Sequence, residues 1–357
     1  MLRTTIITIF LALVAAAMPS ACQHQPREDK IAPKVFIISM VRPSLSLLLL
    51  LSQSPADTPP QWTPEANAWL DNFTDIPSLG TLTATSLFTP GLSMLYPSIH
   101  CTSTGEVCHA TVGEGEINAA ASMTALVLSP RLDLRRTYFL FTGIAGVNPK
   151  LATLGGVALA RYTVQVALQY ELDARSLPSR TQRQAKHVEE KGEWPSGYFA
   201  YGTDFPLEYP RITYGSEVFE LNAALRERAY EWSSSSANLS DADGPRSYRQ
   251  LYSLPTSASL TEEEGGEQGQ ETQEENPYRA AVGPPRVVLC DAATSDVYYS
   301  GTLLAETFEN TTSVWTNGTG AYCMTAQEDN ANMEVMVRAA IEGLVDFSRI
   351  IIMRTGE

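Results

Sequence analysis

Val112-Gly113-Glu114-Gly115-Glu116-Ile117-Asn118-Ala119-Ala120 sets two glycines between a β-branched residue and an alanine-rich run. That order reads as the end of a strand, a turn, and the start of a helix. Glycines at such a turn let backbone N–H groups come close to a phosphate or a sugar. Further on, Tyr138-Phe139-Leu140-Phe141-Thr142 runs into Gly143-Ile144-Ala145-Gly146, a second apolar strand ending in a small-residue turn. Two such turns can face one pocket. Their ordinary alternative is turn-making alone.

Working outward, Lys34-Val35-Phe36-Ile37-Ile38-Ser39-Met40 is a continuous apolar run of strand length, suited to a sheet covered on both faces. From Ile117, the positions Ala120, Ala121, Thr124 and Leu128 recur at helical spacing until Pro130 stops the element. Residues 157–168 are rich in β-branched and aromatic residues and read as one or two strands. Val218, Phe219, Asn222, Leu225 and Ala229 mark another helix. Met333, Met336, Val337, Ala340, Ile341 and Leu344 lie on one face of a further helix, and Thr325-Ala326-Gln327-Glu328 before them has the form of a capping box. Arg349-Ile350-Ile351-Ile352-Met353 closes the pattern as a buried strand. The alternation predicts an α/β protein, a three-layer sandwich around a mixed, mainly parallel central sheet. Residues 33–357 are expected to form one domain with insertions at 41–61, 180–193 and 259–276. The first two have the look of retained introns or disordered inserts, and the third lacks the apolar residues needed to order it.

At 357 residues and 44% hydrophobic content the chain can bury a sizeable core. A net charge of −15 without a Lys/Arg cluster argues against nucleic acid and anionic membrane surfaces as partners. Arg3, the apolar run 6–18 and Pro19-Ser20-Ala21 read as a secretory signal within residues 1–22. The run is shorter than the ~20 residues of a membrane span, and no span is expected in the mature chain. Removal of the signal near Cys22 leaves Cys101, Cys108, Cys290 and Cys323. Among three connectivities, Cys101 with Cys108 across the intervening turn is favoured, leaving Cys290 with Cys323. Neither pair has zinc-site spacing, and no metal is expected. Sequons at Asn72, Asn238, Asn310 and Asn317 agree with an extracellular or cell-surface location.

GEGEINAA (113–120), GIAGVNPK (143–150), ARYTVQVALQYE (160–171), ATSDVYYSGTLLAETFENTT (293–312), TNGTGAYCMTAQEDNA (316–331) and GLVDFSRIIIMRT (343–355) follow one another. In that order they resemble the fungal purine nucleoside permease family, over most of residues 33–355. More distantly the chain looks like the nucleoside phosphorylases and nucleosidases, which implies a phosphorylase/hydrolase-like fold and a purine nucleoside as ligand. The resemblance places Glu328 on the ribose hydroxyls, since an ionised carboxylate accepts two strong hydrogen bonds from a vicinal diol. Capping at the third helical position is its structural alternative. The resemblance also implies an aspartate after the late strand as general acid, where this chain has Thr355-Gly356-Glu357, with Glu357 expected to fray.

Asn118 and Asn148, beside the two glycine turns, can donate to a ligand oxygen, although helix-start and turn duties explain them nearly as well. Ser295-Asp296 and Tyr298-Tyr299 lie where a loop can meet a purine base, against a plain core or turn role for the tyrosines. The expected substrate-binding set is therefore Gly113, Gly115, Asn118, Gly143, Gly146, Asn148, Ser295, Asp296 and Glu328. No cofactor is expected, with phosphate as a co-substrate in a phosphorolytic version. Three functional readings stay open: nucleoside binding tied to uptake, cleavage of the N-glycosidic bond, and a storage or scaffold protein on the same fold. Homo-oligomer formation stays open as well.

Overall fold

Val35–Ser39 forms strand β1 and lies inside an eight-stranded sheet, hydrogen-bonded on both sides by parallel neighbours. The computed structural model describes residues 30–40, 64–73, 78–173, 197–203, 208–253 and 276–357. The expected signal, the inserts 41–61 and 180–193, and all but Asn276 of the acidic segment 259–276 lie outside those residues. The remaining strands are β2 Thr85–Phe88, β3 Ser98–Cys101, β4 Val107–Thr111, β5 Tyr138–Ala145, β6 Val157–Ala160, β7 Tyr162–Gln165, β8 Gln169–Glu171, β9 Tyr198–Ala200, β10 Val218–Glu220, β11 Val287–Leu289, β12 Asp291–Thr294, β13 Tyr322–Ala326 and β14 Ile350–Gly356. The helices are α1 Pro64–Leu70, α2 Glu116–Val127, α3 Ala223–Ser236, α4 Asp243–Arg249, α5 Arg279–Val282, α6 Thr302–Trp315 and α7 Asp329–Ile341.

The large sheet has the order β11-β6-β14-β5-β1-β4-β3-β2. Its four middle strands, β14, β5, β1 and β4, are mutually parallel, and antiparallel pairings occur toward the edges. Successive β1 side chains enter different clusters: Phe36 and Ile38 pack with Met123, Leu126, Met333 and Met336 of α2 and α7, whereas Ile37 packs with Ala66 and Leu70 of α1. Helices thus cover both faces, and a strand buried on both faces has no polar alternation to show. The sheet is mixed and mainly parallel, in the α/β class.

A smaller sheet, β10-β7-β12-β13, is reached by strands that change sheets in mid-run. The segment 157–168 breaks at Arg161 between β6 and β7, and β11 passes into β12 at Cys290. Buried Asp291 holds both breaks together: Oδ1 accepts from the N–H groups of Arg161 at 3.0 Å and Tyr162 at 2.9 Å, and Oδ2 from Ala321 at 2.7 Å. Disulfides join Cys101 to Cys108 across the β3–β4 pair, and Cys290 to Cys323. Among the described residues no helix is long and apolar enough to cross a membrane.

Three expected boundaries are corrected. Val218 and Phe219 belong to β10, and the following helix starts only at Ala223, because Asn222 Oδ1 accepts from Ala224 N at 3.1 Å and Leu225 N at 3.2 Å. Asn222→Ala is expected to cost about 1 kcal/mol, the usual value of such a cap, read as a shift in the urea midpoint. Helix α7 starts at Asp329, with Thr325 still in β13, so Thr325-Ala326-Gln327-Glu328 is no capping box: Glu328 sits at the N-cap itself and makes no side-chain cap bond. Strand β5 runs on to Ala145, which places Gly143 inside the strand rather than in a turn.

Candidate functional site

In an open α/β sheet the carboxyl ends of the strands form the crevice where ligands bind, because each strand there gives way to a loop whose backbone and side chains are free to face outward. A cavity of about 550 Å³ opens at that edge. Met40 after β1, Glu114 after β4, Gly146 and Asn148 after β5, Ser295 and Tyr298 after β12, Gln327 and Glu328 after β13, and Arg354 and Glu357 of the β14 end all line it, together with Glu65 of α1. The volume is ample for a nucleoside-sized ligand.

Four charged groups meet at the cavity floor. Glu328 is 3% exposed, and its Oε1 accepts the Gly115 N–H at 3.0 Å. Its Oε2 lies 3.5 Å from a guanidinium nitrogen of Arg354, a residue only 2% exposed. The Arg354 guanidinium also donates to both carboxylate oxygens of fully buried Asp329, from Nε at 3.1 Å and from Nη2. This bidentate clamp gives Arg354 a fixed geometry, and the surrounding carboxylates keep it charged despite its burial. Burial pushes the Glu328 carboxyl upward, against the pull of Arg354 and the Gly115 N–H.

Glu65 completes the group. Its Oε1 accepts the Ile144 N–H at 3.0 Å, and its Oε2 is buried without a hydrogen-bond partner among the described residues. Burial pushes its carboxyl up to about 7, with Ile144 and Arg354 opposing and Glu328 and Glu357 adding to the rise. Glu116, at the start of α2, is likewise raised to about 7, by burial first and then by Asp296 and Glu328. Both groups have folded values above the ordinary 4.5. Their stabilising effect is therefore complete below pH 4.5 and is lost as pH rises toward 7, because the unfolded chain ionises first. Glu65→Gln is expected to flatten the fall in unfolding free energy between pH 4.5 and 7, measured by urea denaturation across that range. A wild-type slope in the variant would contradict the raised value.

The expected site residues take distinct positions. Gly113 and Gly115 have φ of +94° and +86°, a region that favours glycine, and the Gly115 N–H holds Glu328. Asp296 Oδ1 accepts the Glu116 N–H at 3.1 Å, fastening the same turn from the other side. Gly146, Asn148, Ser295 and Glu328 line the cavity. Asn148 donates to Glu309 Oε1 at 2.9 Å and Tyr322 O at 3.0 Å and accepts from Lys150 N at 3.1 Å, so its amide is largely engaged by the protein. Ser295 Oγ serves a local turn with Val297, and Asn118 Nδ2 donates to Glu114 O at 2.7 Å. Gly143 stands opposite Arg354 in the β5–β14 register, where a Cβ would come within 2.5 Å of the guanidinium. Its glycine thus makes room for Arg354. Glu357 is tied to the sheet by its N–H, which donates to Ala145 O at 2.9 Å.

Sequence reasoning missed Glu65 and Arg354. Glu65 carried no local signal. Arg354 follows the unbroken apolar run Ile350-Ile351-Ile352-Met353, and only the structure shows that it falls in phase with buried Ile350 and Ile352. An arginine on the inward phase of a strand is costly unless paired, which points to a partner carboxylate.

The family model described as purine nucleoside permease matches residues 32–357. Purine nucleoside permease from Candida albicans is 46% identical over 266 residues, covering 74% of this chain and 57% of that protein. The chain thus spans little more than half the length of this relative. A probable purine nucleoside permease from Schizosaccharomyces pombe is 34% identical over 355 residues, covering 98% of this chain and 85% of that protein. Similar solved structures include futalosine hydrolase of Helicobacter pylori, at 12% identity and a TM-score of 0.42 over 91% of this chain and 88% of that one. Another is the 5′-methylthioadenosine/S-adenosylhomocysteine nucleosidase of Neisseria meningitidis, at 10% identity and a TM-score of 0.42 over 90% and 85%. On its sequence, this chain belongs to the purine nucleoside permease family.

Proposed function

We propose that the chain binds a purine nucleoside in the cavity at the carboxyl ends of β5, β13 and β14, as a secreted or cell-surface protein that takes part in nucleoside uptake. The observation that carries this reading is Glu328, a buried carboxylate on the cavity wall, held by Gly115 N–H and Arg354 rather than spent on a helix cap. Fixed in this way it can accept both hydroxyls of a ribose diol, at little cost in side-chain freedom on binding. The family supports the purine, and the two disulfides support passage through an oxidising compartment. Titration calorimetry with inosine and adenosine tests the binding. Absence of heat at millimolar nucleoside would contradict it.

Cleavage of the N-glycosidic bond is the second reading, favoured by Glu65. A carboxyl raised to about 7, with its Oε2 unpartnered among the described residues, suits a proton acceptor at neutral pH. In this version a water oxygen bonds to the anomeric carbon, the C–N bond breaks with its electron pair going to the purine nitrogen, the water proton passes to Glu65, and solvent protonates the base. Chromatography of free base after incubation separates the enzyme from the binder.

A further inference from the structure

The charge lining the cavity restricts what can enter it, beyond the identity of the base. We infer that the site takes only nucleosides free of phosphate and uses no inorganic phosphate as acceptor, so that a phosphate-monoester hydrolysis must first supply its ligand from nucleotides; this rests on the nucleoside reading given above. Sequence reasoning offered the glycine turn at the start of α2 as a phosphate cradle, since N–H groups at a helix N-terminus attract anions. In the fold, the protein's own anions occupy it: Gly115 N–H is bound to Glu328 Oε1 at 3.0 Å and Glu116 N–H to Asp296 Oδ1 at 3.1 Å. Among the described residues, the cationic side chains lining the cavity, Arg354 and Lys150, are neutralised too. Arg354 is clamped by Asp329, and Lys150 Nζ lies 3.0 Å from Glu309 Oε2 and 3.5 Å from Glu306 Oε1. Glu65, Glu114, Glu328 and Glu357 also line the cavity, so a phosphate dianion entering it meets carboxylates with no uncommitted lining cation among the described residues to offset them. An uncharged ribose diol meets hydrogen-bond acceptors instead.

The test compares inosine with inosine 5′-monophosphate by calorimetry on the full chain, together with the thermal midpoint in sodium phosphate against sodium chloride at matched ionic strength. The expected results are at least tenfold weaker binding of the monophosphate, no phosphate-specific rise in midpoint, and base release, where present, at a rate indifferent to phosphate. Asp296→Ala, which frees the Glu116 N–H and removes one carboxylate, is expected to introduce a phosphate-specific rise. Equal or tighter binding of the monophosphate, a phosphate-specific rise in the wild type, phosphate-dependent base release, or no rise in Asp296→Ala would each overturn the inference. A chain that binds no nucleoside refutes the nucleoside reading, while the phosphate response still decides on the anion sites.

Discussion

Arg354→Met is expected to lower the unfolding free energy by about 3–5 kcal/mol, the usual loss when one partner of a buried ion pair is removed. Arg354 and Asp329 are 2% and 0% exposed at their side chains, and the guanidinium reaches both oxygens of that carboxylate. Methionine fills much of the volume but leaves Asp329 and Glu328 as buried carboxylates without a counter-charge. At ~2–4 °C per kcal/mol for domains of comparable size, the loss corresponds to a fall in Tm of about 10 °C. The charge is what matters, so Arg354→Met combined with Asp329→Leu should recover part of the loss, because Asp329 is no longer a stranded ion while buried Glu328 still lacks its counter-charge. Arg354→Lys should recover little, since an ammonium cannot reproduce the planar two-pronged contact. Urea denaturation of the single and double variants reads all three. A loss below about 1 kcal/mol for Arg354→Met would mean that the clamp contributes no more than an exposed pair does.

Where local chemistry had one solution, the sequence was readable. The β1 run is unbroken because both of its faces are covered, and Gly113 and Gly115 are glycines because the turn demands positive φ. Cys101 and Cys108 face each other across one hairpin, and a separation of 7 residues already suggested as much. The site was less readable because its members come from distant parts of the chain. Glu65 meets Ile144, 79 residues away, and Glu328 meets Gly115, 213 residues away. Short patterns misled where a side chain had two uses. Thr325 and Glu328 have capping-box spacing, yet Thr325 remains in β13, where its Oγ1 accepts the Gly146 N–H at 2.9 Å and holds the second turn. The strand switch at Arg161 shows in sequence only as a polar residue inside an apolar run. What makes it a break is Asp291, 130 residues further on, taking the freed N–H.

Glu328→Gln keeps the shape of the side chain and an oxygen able to accept from Gly115, but removes the charge that makes the carboxylate a strong acceptor for two hydroxyls. Its effect should therefore fall on the ligand more than on the fold. The amide presents one acceptor oxygen where the carboxylate presents two, so one ribose hydroxyl loses its partner and meets an N–H₂ donor. Affinity for inosine is expected to fall at least tenfold, or about 1.4 kcal/mol, while the urea midpoint stays close to that of the wild type. Calorimetric titration of inosine into the wild type and Glu328→Gln is thus the most direct measurement of whether this buried carboxylate is a sugar acceptor: a Kd raised tenfold or more in a folded variant is expected, and an unchanged Kd would contradict that role.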